Sequence, residues 1–215
     1  MDVIAFVARK GGVGKSTLVC TFAVLAYQRA QRDAEPGQEA LVAVIDQDHQ
    51  GCTTRFFNAR AGRPGPRLFK TTAGTLSVTL RGLRELGYSI VLVDSPPGHS
   101  DTIAAAMRAA SEVVIPVRPS ELDLEAARET IKMAVAAGVP YQVLLNDGTF
   151  RTRGVGAAKT ALEKEGVPLL PVIHRRVDIP LAGGECVVER APESTAAKEV
   201  TRAFHQLMGQ PCREM

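Results

Sequence analysis

Residues 9–17 read RKGGVGKST, and this glycine-rich segment predicts the fold more strongly than any other part of the sequence. Its glycines let consecutive backbone N–H groups turn inward around phosphate oxygens, and a helix that follows such a loop points its positive N-terminal end at the same anion. The common form of this motif has glycine at the position of Arg9. The stretch is therefore a variant phosphate-binding loop, and it contains an additional lysine, Lys10.

Each side chain of the loop has a predicted task. Lys15 is expected to reach the β and γ phosphates of a nucleotide, and Thr17 is expected to be a second phosphate contact. Ser16 supplies a hydroxyl, which is the hard oxygen ligand that Mg²⁺ prefers. The backbone cradle is predicted to consist of Gly11, Gly12, Val13 and Gly14.

The flanks of the loop agree with this prediction. Residues 3–7 (VIAFV) form an apolar run typical of a buried strand, and residues 18–25 (LVCTFAVL) are predicted to form the helix that leaves the loop. Strand, loop and helix therefore occur in the order that the motif requires.

Two further apolar runs end in acids. Residues 40–45 lead into Asp46-Gln47-Asp48, and residues 89–93 lead into Asp94. Parallel strands bring their carboxyl ends to one edge of a sheet, where ligands bind. Alternating strands and helices predict an α/β fold with a single doubly wound, mostly parallel sheet and helices on both faces.

The later elements follow the same alternation. We predict strands at 113–117, 142–146 and 169–173, and helices at 103–110, 121–138, 156–165 and 194–208. The polar run between Gln28 and Glu39 is predicted to be a solvated loop.

Composition bounds the remaining possibilities. The chain has 215 residues, of which 45% are hydrophobic, and this is typical of one domain covering residues 1–215. No apolar run is long enough to span a bilayer, and a cytoplasmic location is expected. The four cysteines form no C-x-x-C pair, and the four histidines show no metal-binding spacing.

Residues 10–17 (KGGVGKST) resemble a known family, the deviant Walker A ATPases, which have the P-loop NTPase fold and include ParA-type DNA partition proteins, MinD-type division-site proteins and the nitrogenase iron protein. In that family the first lysine, Lys10 here, crosses to the nucleotide of the partner subunit. The resemblance therefore implies ATP and Mg²⁺ as cofactors, a homodimer around ATP, and catalytic roles for Lys10 and Lys15.

The acids also match this family. Asp94 resembles the Walker B acid, which holds magnesium through water, and residues 94–98 (DSPPG) resemble the second switch. Residues 46–48 resemble the first switch, in which Asp48 positions the attacking water and lies near the metal. Here His49 replaces the usual proline of that switch, so its backbone is less constrained.

Residues 113–124 closely resemble the small ParA proteins. Because the first predicted strand begins at Val3, the chain is similar to the class without an N-terminal helix-turn-helix domain, which leaves operator binding to a centromere-binding adaptor protein. In relatives an asparagine at the position of Asn146 faces the adenine. Residues 146–148 (NDG) lack the Asn-Lys-x-Asp pattern that reads guanine, so ATP is favoured.

DNA binding is predicted from local basic clusters. The net charge is only +3, with a pI of about 8.8, which is too weak to indicate nucleic-acid binding by itself. Doubled by a dimer, local clusters would neutralise phosphates in a sequence-independent and salt-sensitive manner. An ordinary solvated face is the alternative. The candidates are Arg151, Arg153, Arg175, Arg176, Lys198 and Arg202.

The favoured function is an ATP hydrolase for DNA segregation, associated with the nucleoid and stimulated by its adaptor. Positioning of a protein cargo by the same cycle is an alternative. A MinD-like membrane switch is less favoured, because Pro211 interrupts the last apolar stripe, and no membrane partner is expected. A reductase like the nitrogenase iron protein is disfavoured, because Cys52 and Cys186 are not in paired motifs.

Overall fold

The computed structural model describes residues 1–35, 37–98, 100–149, 153–176 and 179–209. Within these ranges six strands form one sheet, and every strand pairing in it is parallel. The strands are β1 Asp2–Phe6, β2 Val42–Asp46, β3 Arg67–Lys70, β4 Ile90–Asp94, β5 Glu112–Val117 and β6 Tyr141–Leu145. The helices are α1 Lys15–Asp33, α2 Cys52–Ala59, α3 Leu76–Glu85, α4 Ser100–Ala109, α5 Glu121–Ala137, α6 Arg153–Lys164, α7 Val187–Arg190 and α8 Thr195–Leu207.

The strand order is β3-β2-β4-β1-β5-β6, which confirms the predicted doubly wound sheet. Consecutive residues of a strand point to opposite faces. Ile4, Phe6 and Leu92 accordingly pack in one core layer with α1 and α8, whereas Val3, Ala5 and Val93 pack in the other with α3 and α4. Helices therefore cover both faces, and the strand ends of the carboxyl edge lie between two apolar layers.

An aromatic stack fixes α1 behind the phosphate loop. The Phe22 ring meets Phe6 of β1 at 5.5 Å between centroids and Phe204 of α8 at 5.7 Å, both edge to face. All three rings are at most 1% exposed. Burial of each ring contributes about 1.5–3 kcal/mol, so the start of α1 is held by the deepest part of the core.

Two predictions about elements were wrong. Residues 169–173 do not form a strand; Leu169 makes an isolated bridge to Val143, and the register then slips, because Leu170 donates to the Val143 carbonyl but Ile173, three residues on, donates to the Leu145 carbonyl, two residues on. The polar run after Gln28 is not loop throughout, since α1 continues to Asp33 and an Arg29–Asp33 pair one turn apart supports it. In the described ranges no helix is long and apolar enough to cross a membrane.

Candidate nucleotide site

The phosphate loop joins β1 to α1 with the backbone that its glycines predict. Gly12 and Gly14 have φ of 72° and 89°, in the left-handed region, and Gly14 is the residue immediately before α1. A Cβ atom on Gly14 would clash with Nδ2 of Asn146. That Nδ2 donates a hydrogen bond of 2.8 Å to the Val13 carbonyl, so glycine at 14 lets β6 support the loop directly.

Lys15 is the buried cation of this loop. Its side chain makes no ion pair with any described residue, and it is only 6% exposed. Desolvation lowers the pKa of Lys15, and the nearby charges of Asp94 and Asp48 oppose that shift. A buried ammonium with acids in the vicinity but none in contact is suited to an incoming phosphate.

Register brings the two strand-end acids side by side. Asp46 of β2 and Phe6 of β1 both pair with Asp94 of β4, which lies between them. Asp46 accepts hydrogen bonds from the backbone N–H groups of Asp48 and Thr54, both at 2.9 Å. Asp46 is therefore a structural acid that fixes the turn between β2 and α2.

The Asp94 carboxylate is fully buried, and only one of its two oxygens accepts a hydrogen bond from a described residue. Its Oδ2 accepts a 2.7 Å hydrogen bond from the Thr53 hydroxyl, whereas its Oδ1 has no hydrogen-bond partner among the described residues. Burial raises the pKa of Asp94 to about 6, although the nearby hydroxyls of Thr53 and Ser16 oppose the shift. A free carboxylate oxygen beside Ser16 fits a magnesium ion that keeps most of its coordination for phosphate and water.

No group of three or more potential metal ligands occurs in the described part of the chain. Mg²⁺ at phosphate sites uses one or two protein oxygens and takes its other ligands from phosphate and water. Ser16 and Asp94 are the residues here that meet this description.

Asp48 lies in the turn ahead of α2. Its Oδ1 accepts a 2.9 Å hydrogen bond from the N–H of Gln50, and its backbone carbonyl accepts one from Gly51. The side chain is half-buried and close enough to Lys15 to affect its pKa. The structure therefore puts Asp48 beside the loop, and its role with the attacking water stays a prediction.

Lys10 is held within its own chain. Its Nζ lies 2.9 Å from Oδ1 of Asp123, an acid of the first turn of α5 that is 5% exposed. Burial opposes ionisation of Asp123, but hydrogen bonding by Ser120 and the charge of Lys10 lower its pKa below the ordinary value. Any reach of Lys10 to a partner subunit therefore requires this ion pair to open.

Arg118 lies at the phosphate loop, although no motif in the sequence predicted a role for it. It follows β5, and its Nη2 lies 3.4 Å from where a Cβ atom on Gly12 would be. Its Nε lies 3.8 Å from Oδ2 of Asp123. A cation directly after a strand that ends at the ligand-binding edge was the available signal.

A cavity opens beside the phosphate loop and is lined by Gly12, Thr17, Asn146, Asp147, Arg175 and Arg176, among others. Arg175 makes two 2.8 Å hydrogen bonds to the carboxylate of Asp147. Asn146 lines this cavity, and its side-chain NH₂ group already donates one hydrogen bond to the loop. Its contact with adenine stays a prediction.

The predicted DNA contacts are spread over several surroundings. Arg175 and Arg176 line the cavity just described, and Arg176 pairs with Glu199 at 2.8 Å. Lys198 pairs with Glu193 at 3.2 Å, and Arg202 is exposed on α8. Arg151 lies outside the described residues, as does the side chain of Arg153. DNA binding by any of these residues stays a prediction.

The parallel sheet, the glycine loop at the start of α1 and the acids beside it define a P-loop nucleotide-binding protein. No protein-family model matches the chain. It is 33% identical over 177 residues to maintenance of carboxysome distribution protein A of Gloeobacter kilaueensis, which covers 80% of this chain and 76% of that protein. It is 28% identical over 245 residues to the chromosome-partitioning ATPase Soj of Thermus thermophilus, covering 95% of this chain and 94% of that protein.

Solved structures give the same fold. The cell division protein MinD of Aquifex aeolicus superimposes with a TM-score of 0.80, at 19% identity and full coverage of both chains. The chain belongs to the ParA/MinD superfamily of P-loop ATPases.

Proposed function

We propose that residues 1–215 form one ATPase domain that dimerises around ATP, binds DNA without sequence preference in that state, and segregates DNA by slow, adaptor-stimulated hydrolysis. The observation that carries the proposal is the phosphate loop itself. It has two lysines, Lys15 buried at the start of α1 and Lys10 at its edge, and it lies beside a buried acid with a free oxygen.

The chemistry would be attack of water on the γ-phosphoryl group of ATP. Loop N–H groups and Lys15 would hold the phosphates, and Lys10 of a second subunit would neutralise charge that develops as the γ-phosphoryl leaves. Asp48 would orient the water. Ser16 and Asp94 would hold Mg²⁺, which supplies charge neutralisation at the β and γ oxygens when bound.

Dimerisation is the proposed link between nucleotide and DNA. Lys10 would leave Asp123 for the nucleotide of the partner, and the paired surfaces would present twice the number of basic groups. A DNA-bound adaptor would then stimulate hydrolysis and release the ATPase. The proposed location is the cytoplasm, on the nucleoid.

Positioning of a protein cargo by the same cycle is the second candidate. It is favoured by the similarity to the carboxysome distribution protein of Gloeobacter kilaueensis. DNA segregation is favoured by the similarity to the chromosome-partitioning ATPase of Thermus thermophilus, which extends over more of the chain. Crosslinking and co-precipitation of the tagged protein from its native cells would distinguish the two candidate functions. Enrichment of specific DNA loci through an adaptor would indicate DNA segregation. A co-purified protein assembly without such loci would indicate positioning of a protein cargo.

The decisive experiment for the shared cycle is anisotropy of a labelled random-sequence DNA duplex with the Asp48→Ala protein and Mg²⁺. We expect binding with ATP but not with ADP, weakening steeply as salt rises, because hydrolysis is blocked and the dimer persists. Lys15→Ala in the same background is the matched control and should bind in neither state. Equal DNA binding with ATP and ADP, or ATP-dependent dimers that never retain DNA, would contradict the proposal.

A further inference from the structure

The buried carboxylate of Asp123 has two cations beside it. Its Oδ1 lies 2.9 Å from Nζ of Lys10, whereas its Oδ2 lies 3.8 Å from Nε of Arg118. The Ser120 hydroxyl, which precedes α5, also donates to Oδ2. The acid therefore has one cation in direct contact and a second cation that lies further away, on its other oxygen.

Arg118 is placed to come closer to this acid. It directly follows β5, and its guanidinium extends toward the phosphate loop, with Nη2 3.4 Å from where a Cβ atom on Gly12 would be. The side chain is 33% exposed, so solvent borders it and the core does not enclose it. Its 3.8 Å separation from Asp123 exceeds the roughly 2.7–2.9 Å of a charge-assisted hydrogen bond. A small rotation of the long side chain would therefore bring the two charges into contact.

Departure of Lys10 from this pair has a free-energy cost. Asp123 is only 5% exposed, and a buried charge that loses its partner is strongly destabilising, because water does not replace the lost interaction. The Ser120 hydroxyl and the positive end of α5 supply only partial charges to the carboxylate. Among the described residues, the ion-pair partners of Asp123 are Lys10 and Arg118. Arg118 is thus the full positive charge that stays beside the acid after Lys10 leaves.

We propose that Arg118 is a positioning residue that pairs with the Asp123 carboxylate in place of Lys10 when Lys10 leaves it. This inference rests on the proposed function, in which Lys10 crosses to the nucleotide of a second subunit. A planar guanidinium bonds both oxygens of a carboxylate at once, which suits it to replace an ammonium that bonded one. The exchange keeps the buried acid paired, so it lowers the free-energy cost of releasing Lys10.

The first test measures the pKa of the Asp123 carboxyl in the nucleotide-free full chain, from its ¹³C chemical shift as a function of pH. Lys10→Ala imitates the departure of the lysine. In Lys10→Ala we expect the pKa of Asp123 to stay below the ordinary value, because Arg118 pairs with the carboxylate. In Lys10→Ala/Arg118→Gln that pKa should be about one to three pH units higher, because a buried acid without an opposite charge resists ionisation.

Two controls separate an exchange of partners from a fixed background charge. Arg118→Gln alone should raise the pKa of Asp123 less than it does after Lys10→Ala, because Lys10 still holds the acid. Arg128→Gln should leave that pKa unchanged in either background, since Arg128 lies on the same helix but pairs with Glu165 at 2.6 Å. An Arg118→Gln effect of the same size with and without Lys10, or no effect in Lys10→Ala, would overturn the proposal.

The second test is sedimentation of Asp48→Ala with ATP and Mg²⁺. Adding Arg118→Gln should weaken the dimer about tenfold, Arg118→Lys should restore part of the loss, and Arg118→Gln should have no effect once Asp123→Asn is present. Equal weakening with and without Asp123→Asn would mean that Arg118 contacts the nucleotide or the partner subunit, which would overturn the proposal.

The two tests fail in different ways. If Asp48→Ala formed no ATP-dependent dimer, the proposed function would be wrong, whereas the titration of the Asp123 carboxyl would still decide whether Arg118 replaces Lys10. If the dimer formed but the titration showed no replacement, only the role of Arg118 would be wrong.

Discussion

The phosphate loop and the basic segment after Ile173 both contain clustered cations, but the structure treats them in opposite ways. Lys15 in the loop is buried and makes no ion pair with a described residue. Arg175 in the basic segment is 63% exposed and is bound by both oxygens of Asp147. The first arrangement leaves positive charge for a ligand, and the second neutralises it within the chain.

This difference explains why the sequence predicts a phosphate site more reliably than it predicts a DNA-binding surface. The position of Lys15 follows from the backbone turn of the loop, which nine consecutive residues specify, whereas Lys10 of the same loop pairs with Asp123 of α5. The basic segment is neutralised by acids from elsewhere: Arg175 by Asp147 and Arg176 by Glu199. The net charge that a basic segment presents at the folded surface therefore depends on acids that lie elsewhere in the sequence.

The largest expected effect comes from Lys15→Ala. Loss of a charge-assisted bond to the phosphates should weaken ATP binding roughly a hundredfold or more, about 3 kcal/mol. Lys198→Ala is the matched control, since Lys198 is exposed and paired with Glu193, and it should leave ATP binding unchanged. Calorimetry with ATP and Mg²⁺ measures the ATP affinity of both variants. Similar affinities would contradict the claim that Lys15 binds the nucleotide and Lys198 does not.

The Asp94→Asn variant tests whether the buried acid beside the phosphate loop costs stability. The folded protein raises the pKa of Asp94 from 3.8 to about 6, so it binds a proton that the unfolded chain has lost, and stability falls as pH rises through that window. Two pKa units correspond to roughly 3 kcal/mol. Asp94→Asn should therefore be more stable than wild type above pH 6 by up to about that amount, and ATP binding should lose its dependence on Mg²⁺.

Urea unfolding between pH 4 and pH 8 measures this effect. Asp33→Asn is a suitable control, because the Asp33 side chain is 68% exposed and should change the pH profile little. A wild-type profile that is flat between pH 4 and pH 6, or parallel profiles for wild type and Asp94→Asn, would show that Asp94 is not the titrating group.

The Asp123→Asn variant tests Lys10, which is half-exposed and so less buried than Lys15 but less exposed than Arg175. Lys10 can reach a partner subunit only after its ion pair with Asp123 opens, and the free-energy cost of opening opposes that transfer. Removing the negative charge while keeping the shape should tighten ATP-dependent dimers about tenfold, roughly 1.4 kcal/mol. Sedimentation of Asp48→Ala with and without Asp123→Asn measures this, and Glu129→Gln, which breaks the exposed Glu129–Lys132 pair on α5, is the control. Weaker dimers would mean that Asp123 supports the dimer instead.

The smallest effects are expected in the basic segment. Arg202 is exposed, and no ion pair of Arg202 is found in the described part of the chain, so Arg202→Ala should reduce the salt slope of DNA binding by about one. Arg175→Ala should change it less, because Asp147 already neutralises that arginine. DNA anisotropy at several salt concentrations compares the two variants. A larger loss from Arg175→Ala would reverse the ranking.

Much of the fold could be predicted from hydrophobic runs, since β1, β2, β4, β5 and β6 each contain a nearly continuous apolar stretch. Strand β3 (RLFK) was not predicted, because four residues with charges at both ends carry no clear period. Helices α2 and α3 were also missed. The predicted strand at 169–173 failed because the segment slips in register against β6 between the hydrogen bonds of Leu170 and Ile173, and an apolar pattern does not reveal such a slip.

The phosphate loop, the strand that enters it, the helix that leaves it and the acids at the strand ends could all be predicted from the order of the residues. These features are local, because turn conformation and strand alternation act over a few residues. The contacts between distant residues became known only from the folded chain: Thr53 donates to Asp94, Asp123 pairs with Lys10, and Arg118 lies close to Gly12. Those facts depend on which distant segments the sheet order brings together, and burial then sets the charge and hydrogen bonding of each group.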